Sequence, residues 1–252
     1  MVRLQELVRY AGKLLDAASF VDYAPNGLQV EGRESVHTLI TGVTASVALL
    51  EAAIDAGADA VLVHHGYFWR GEDVCITGMR RRRLQLLLSN NIGLIAYHLP
   101  LDAHPVYGNN AQLARVLGID IVDGFGAAAG PAIARYGRLP EPVSAAAFAQ
   151  RVADRLGRPP LHVAAGPEQI ETIGFCTGAA QDYLEQAAAL GLDAYLSGEI
   201  SERTVHQARE LAIHYFAAGH HATERYGVQA LGDHLAATFG ILHRHIDIDN
   251  PA

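Results

Sequence analysis

The stretch TLITGVTASVALLEAAIDAGADAVLVHHG, Thr38 to Gly66, decides the fold. Thr38 to Ala45 is a β-branched run, Val47 to Ala56 has helical apolar spacing, Gly57 closes that helix, and Asp59 to His65 is a second apolar strand. Outward from it, Met79 to Ser89 reads as a helix and Ile92 to His98 as a third strand. Strands alternating with helices predict an α/β fold, a mostly parallel sheet with helices packed over it.

The same order of signals returns later. Thr177 to Glu199, TGAAQDYLEQAAALGLDAYLSGE, repeats the pattern of Thr41 to Gly66: Thr-Gly, helix, Gly, Asp-Ala, strand. LIAYH (Leu94 to His98) is echoed by IHYFAAGH (Ile213 to His220). Each echo ends on a histidine followed four residues later by a carboxylate, Asp102 in the first and Glu224 in the second. A duplicated α/β unit is expected; the alternative is a chance likeness between two Ala-rich βαβ segments. The expected division is 1–125, carrying the HHG and HLPLD motifs, and 126–252, carrying GHHATE, with the C-terminal segment packing back on the first unit. Between the copies, Asp123 to Pro131 (DGFGAAAGP) reads as a linker, because Gly124-x-Gly126 lacks the spacing and the following helix of a dinucleotide loop. A strand over Ile133 to Leu139, a helix over Ser144 to Leu156 and a strand over Leu161 to Ala165 should follow.

Composition bounds the chemistry. With 252 residues, 50% hydrophobic and 18% charged, the chain has the balance of a folded globular protein and not of a disordered one. No apolar run reaches the roughly 18 to 20 residues that cross a bilayer. The first residues carry Arg3, Glu6, Arg9, Lys13 and Asp16 in amphipathic spacing, unlike a signal peptide. Two cysteines, Cys75 and Cys176, make no disulfide framework, so a cytoplasmic location is expected. A net charge of -8 argues against a protein that coats nucleic acid. Lys13 is the sole lysine, which removes phosphate-loop and Schiff-base lysine chemistry. Gly-x-Ser-x-Gly, His-Glu-x-x-His and Cys-x-x-Cys are all missing. What stands out is thirteen histidines, the commonest metal-ligand type.

His64 and His65 end a strand, and ligands of open α/β sheets sit beyond the carboxyl ends of strands. Neighbouring strand side chains point to opposite faces, so the two share a site only if the strand stops there or each serves its own ion. The alternative is a pair satisfied by backbone carbonyls. His98 and Asp102 bracket Leu99-Pro100-Leu101, and Pro100 favours an extended predecessor, so the pair is expected on a loop. Asp102 alternatively serves a turn ahead of the Asn109-Asn110 cap and the helix Ala111 to Leu117. His220 and Glu224 lie one turn apart on a helix expected to start near His221, a spacing that suits a metal clamp or a helix-start carboxylate; His221 alternates away as a structural residue. Together His64, His65, Asp102, His220 and Glu224 form a nitrogen and oxygen donor set suited to Zn, Mn, Fe, Co or Ni. Spread over two ions with Glu224 bridging, five ligands leave positions open for water and substrate, as metal-assisted hydrolysis needs.

DYAPNGLQVEG (Asp22 to Gly32), VHHGYFW (Val63 to Trp69), AYHLPLDAHP (Ala96 to Pro105), SGEISERTVHQARE (Ser197 to Glu210) and GHHATERYG (Gly219 to Gly227) together resemble the Nif-three-like family, in its short bacterial form. Its members carry the names GTP cyclohydrolase I type 2 homologue and dinuclear metal centre protein. The resemblance runs from about Asp22 to the C-terminal IDIDNPA. It implies two interdigitated α/β domains, a site for two divalent ions between them, and a toroidal homohexamer, a trimer of dimers. It matches His64 and His65 to the paired histidines, one per metal, Asp102 to the carboxylate on the first metal, His220 to the third imidazole and Glu224 to the bridging carboxylate. His98 matches a position near the metals, as a proton donor or a residue behind the ligands. Asn26 and Gln29 belong to the N-terminal motif, whose PNG reads as a turn.

The family names imply a metal-dependent hydrolase of the GTP cyclohydrolase I type 2 class, acting on a nucleotide or other small molecule, although no residue in the sequence reads a guanine. The competing expectation is a non-catalytic, metal-containing ring that binds DNA or a protein partner in stress or repair. Its support is Arg80-Arg81-Arg82-Arg83, which a solvated helix face or a subunit contact explains as well, since four consecutive residues span more than one helical turn.

Overall fold

The computed structural model describes residues 1–126 and 130–252; residues 127–129, in the middle of the expected linker, lie outside the described residues. The chain runs β1 (Val2–Arg3), α1 (Leu4–Leu14), β2 (Gly27–Val30), β3 (Ser35–Val36), β4 (Thr38–Thr44), α2 (Val47–Asp55), β5 (Ala60–His65), α3 (Gly78–Asn90), β6 (Gly93–Ala96) and α4 (Leu99–Ala103). Next come α5 (Asn109–Leu117), β7 (Asp120–Phe125), β8 (Ala134–Ser144), α6 (Ala145–Leu156), β9 (Leu161–Val163), β10 (Gln169–Cys176), α7 (Leu184–Ala189), β11 (Ala194–Ser197), α8 (Glu202–Glu210) and β12 (His214–Ala217). A long α9 (His220–Phe239) and β13 (Leu242–His245) end it.

Two compact units result: Met1–Gly108 with Gly227–Asp249, and Asn109–Tyr226 with Asn250–Ala252. The division therefore falls after Gly108 and not after residue 125. The reason is packing: α5 buries Leu113, Ala114 and Leu117 against Phe148 and Val152 of the second core. Beyond Tyr226, α9 buries Val228, Leu231 and Leu235 with Leu39 and Leu62 of the first. The expected linker is also corrected, because Asp123 to Phe125 belong to β7, which pairs antiparallel with β8.

In the first unit the sheet order is β13-β4-β5-β6-β2. The strands β13, β4, β5 and β6 run parallel and β2 closes the edge antiparallel. Strand alternation sorts the side chains into two layers. Ile40, Val61, Val63 and Leu94 meet Leu49, Leu50 and Leu87 of α2 and α3, while Leu39, Leu62 and Ile95 meet Leu4 and Leu7 of α1 and the α9 leucines. Helices on both faces let these strands be apolar throughout.

The second unit has the order β7-β8-β10-β11-β12-β9, with β10, β11 and β12 parallel. Phe175, Leu196 and Phe216 pack with α5 and α6, and Tyr195 and Tyr215 with Leu184 and Ala187 of α7. The duplication is visible down to single hydrogen bonds. Asp59 accepts the N–H groups of His37 and Thr38 at the head of β4, and Asp193 accepts those of Glu171 and Thr172 in β10. In each copy a glycine follows the antiparallel edge strand where no Cβ fits: at Gly32 it would strike the backbone at Gly93, and at Gly166 the carbonyl of Asp193 and the nitrogen of His214.

Candidate metal centre

Strands β5 and β6 leave the first sheet side by side, Val63 paired with Ala96. There β5 ends, so His64 and His65 need not diverge, and their ring centroids are 4.5 Å apart. His64 is fully buried and His65 half-buried. The His64 Nδ1–H donates to the Tyr97 carbonyl at 2.9 Å, His65 Nδ1 lies 3.2 Å from Thr44 Oγ1, and His98 Nδ1 lies 2.7 Å from Asp22 Oδ1. Each imidazole is thus steered through Nδ1 by a protein oxygen, which makes Nε2 the atom that faces a ligand. The ligating atoms of His64, His65 and His98 lie within 4.8 Å of one another.

Asp102 corrects one expectation. It stands on the short helix α4 and not on a loop: its N–H bonds the His98 carbonyl at 3.2 Å, and Pro100 occupies the first turn, where no N–H is needed. The carboxylate is buried, with Oδ1 3.5 Å from His64 Nε2. The first unit therefore brings His64, His65, His98 and Asp102 together.

Several supporting residues were not singled out for these roles in the sequence. Asp22 accepts from His98 and, through Oδ2, from the Leu99 N–H and the Asn26 side chain. Burial opposes its ionisation, yet the hydrogen bond and charge of His98, with the bonds from Asn26 and Tyr23, outweigh burial and hold the Asp22 carboxyl at about 2. Asn26, read above as part of the PNG turn, and Gln29 of the same motif are props. Asn26 Oδ1 accepts the His98 N–H at 2.8 Å, and Gln29 Oε1 accepts the Tyr67 N–H at 2.7 Å. A Cβ at Gly66 would run into that Gln29 amide, so the HHG glycine makes room for it. The only signal for these residues was that they share one polar motif.

In the second unit α9 begins at His220, one residue before the expected start. His220 Nδ1 lies 2.7 Å from Glu199 Oε1 and Nε2 lies 3.1 Å from Glu224 Oε2. Glu199, missed in the sequence, follows β11. Gly178 takes a left-handed φ of +69° under the pair, where a Cβ would collide with the buried Glu224 carboxylate. Burial pulls the His220 pKa down, but Glu224 and then Glu199 overcome it and raise it to about 9. The two carboxylates favour positive charge on the ring, and a cation bound at Nε2 would replace that proton.

The arginine run lies on α3. Arg80 pairs with Glu72 at 3.0 Å, Arg82 with Glu51 at 2.9 Å, and Arg83 lies over the Tyr67 ring. Among the described residues, no helix is long and apolar enough to cross a membrane.

A family model described as Duf34/NIF3 (NGG1p interacting factor 3) matches residues 2–251. A Pseudomonas aeruginosa protein named GTP cyclohydrolase 1 type 2 homolog is 57% identical over 251 residues, covering 100% of this chain and 99% of the relative. An Allochromatium vinosum protein of the same name is 56% identical over 252 residues, covering 100% and 98%. Among solved structures, the chain is similar to the protein ybgI, described as of unknown function, with a TM-score of 0.96, 48% identity and full coverage of both chains.

Proposed function

The chain belongs to the Duf34/NIF3 family, and from that premise we propose that it is a dinuclear metal protein acting as a metal-dependent hydrolase on a nucleotide or other small molecule, with GTP cyclohydrolase I type 2 chemistry the first activity to test. The observation that carries this reading is the cluster of His64, His65 and His98, each ring steered by its own oxygen. Steered imidazoles of this kind are the usual preparation of metal ligands.

His64, His65 and Asp102 from the first unit, with His220 and a bridging Glu224 from the second, are the proposed ligands. Their nitrogen and carboxylate donors, without thiolate, fit Zn, Fe, Mn, Co or Ni. Gly178 keeps a Cβ away from the Glu224 carboxylate and the His220 ring, which fits a site that holds these two groups toward an ion. Held by these residues, such ions would acidify water and polarise a substrate oxygen. Within the chain, Thr44 and the Tyr97 carbonyl hold the two paired imidazoles, and Asp22 holds His98 with Nε2 outward, able to take up or deliver a proton while the carboxylate stabilises the imidazolium. The same reading makes the protein a cytoplasmic toroidal homohexamer, a trimer of dimers. Light scattering should give a mass well above the 27.0 kDa chain, and a monomer would overturn the ring.

The test is formate release from GTP by protein reconstituted separately with Zn, Mn and Fe, with metal content measured in parallel. Glu224→Gln should keep the fold, lose at least one ion and abolish turnover. Unchanged metal content in that variant would overturn the bridging role. No turnover by fully metallated protein would overturn the GTP cyclohydrolase reading and turn the search to other substrates and to the non-catalytic ring.

A further inference from the structure

We propose that the groove between α5, α6 and β8 of the second unit binds a small phosphorylated ligand with an aromatic or apolar body, gripped by Arg115, Arg151 and Arg155. Arg151 and Arg155 are four residues apart on α6, so they project from one helix face, and Arg115 comes from the last turn of α5. All three line a groove of about 850 Å³ together with Tyr226, Val116 and Val143. None of the proposed metal ligands lines it.

What sets this groove apart is that three arginines with no carboxylate partner among the described residues line it together. Arg3, Arg33, Arg80, Arg82, Arg138 and Arg203 each pair with a carboxylate. Arg115, Arg151 and Arg155 pair with none among the described residues, although the chain carries eight more formal negative charges than positive ones. Among the described residues, Glu141 is the sole carboxylate in the lining and makes no ion pair. The carbonyl ends of α5 and α6 soften the repulsion, since Arg151 Nη1 reaches the Leu117 carbonyl at 3.5 Å. Neutral carbonyls do not replace a counterion, and three guanidiniums lining one groove attract one.

The class of ligand follows from the walls. Guanidinium forks match phosphate oxygens in bidentate geometry. The volume lies in the range of small-molecule pockets, roughly 300 to 1,000 Å³. Tyr226 is fixed by its hydroxyl on the Arg155 carbonyl at 3.1 Å and has the Arg225 guanidinium 5.3 Å from its ring centroid, so it offers a rigid aromatic surface beside the cations.

The experiment is a fluorescence titration of the whole chain with 1-naphthyl phosphate, in EDTA so that metal-held phosphate contributes nothing. Saturable binding of one probe per chain is expected, competed by pyrophosphate and weakened by added salt. Arg151→Gln and Arg155→Gln should each weaken it by about tenfold or more. Glu141→Gln should tighten it by roughly twofold to fivefold, a change that a damaged fold does not produce. Absence of saturable binding, equal binding of uncharged 1-naphthol, or affinity unmoved by both arginine variants would each overturn the proposal. Because chelated protein is used, failure here leaves the metal reading untouched, and the reverse holds as well.

Discussion

Both units share a run of three parallel strands, β4-β5-β6 and β10-β11-β12, beside an antiparallel strand, β2 and β9, with β13 adding a fourth parallel strand in the first unit, yet they end their middle strands differently. Ala60 pairs with Gly93 in the first unit and Ala194 with His214 in the second, so the residue five beyond is His65 in one copy and Glu199 in the other. By the same register His98 is the counterpart of Gly219, one residue before His220. The repeated scaffold decides where chain ends emerge from the sheet. It does not decide what they carry, because residues past the last ladder bond contribute little to the core and are free to differ.

The sharpest test of that equivalence is the pair of glycines. Gly32→Ala and Gly166→Ala should each destabilise by roughly 3 kcal/mol in urea unfolding, since the added Cβ meets backbone that has nowhere to go. Gly32 should cost more, because its nearest atoms are all backbone while Gly166 also meets the His214 ring. The opposite order would break the comparison.

Next come the aspartate clamps. Asp59→Ala should cost roughly 2 to 3 kcal/mol and Asp193→Ala somewhat less, as Asp59 is the more buried and also holds Arg33. Burial opposes ionisation of Asp59, but the Thr38 and His37 N–H groups and Arg33 outweigh it and lower its pKa below the ordinary 3.8. With the folded value depressed, its stabilisation is complete above pH 3.8 and is lost as pH falls through the folded value. Asp59→Asn should flatten stability against pH in that acidic range; an unchanged slope would mean that other carboxylates dominate.

The smallest effects should come from residues that orient the ligands. Thr44→Val and Glu199→Gln should each lower metal affinity by about tenfold, close to 1.4 kcal/mol, with the unfolding midpoint of the metal-free protein unmoved. A loss confined to one copy, measured by competition with a chelator, would show that only that half of the proposed centre holds an ion.

Much of this was legible in the sequence. Thr38 to Ala45, Asp59 to His65 and Ile92 to His98 read as strands because they are buried on both faces and apolar throughout, and they became β4, β5 and β6. The second copy was legible for the same reason, with Asp-Ala before a strand marking both clamps. Composition misled at Asp123 to Phe125, where Gly-rich residues form half of a hairpin, and at Asp102, where Pro100 starts a helical turn instead of opening a loop.

Periodicity and a histidine at a strand end are local properties, so the sequence by itself determined the α/β class, the duplication and the residues offered as ligands. Only the tertiary structure decided what orients them. His65 finds Thr44 across 21 residues and His220 finds Glu199 across 21, because parallel strands set side by side by crossover helices bring their ends together, while His98 finds Asp22 across 76 because the antiparallel β2 begins beside the end of β6. The division after Gly108 and Tyr226 was decided the same way. Whether α5 or the far end of α9 belongs to one core or the other depends on which sheet face its apolar stripe covers, and no local pattern records that.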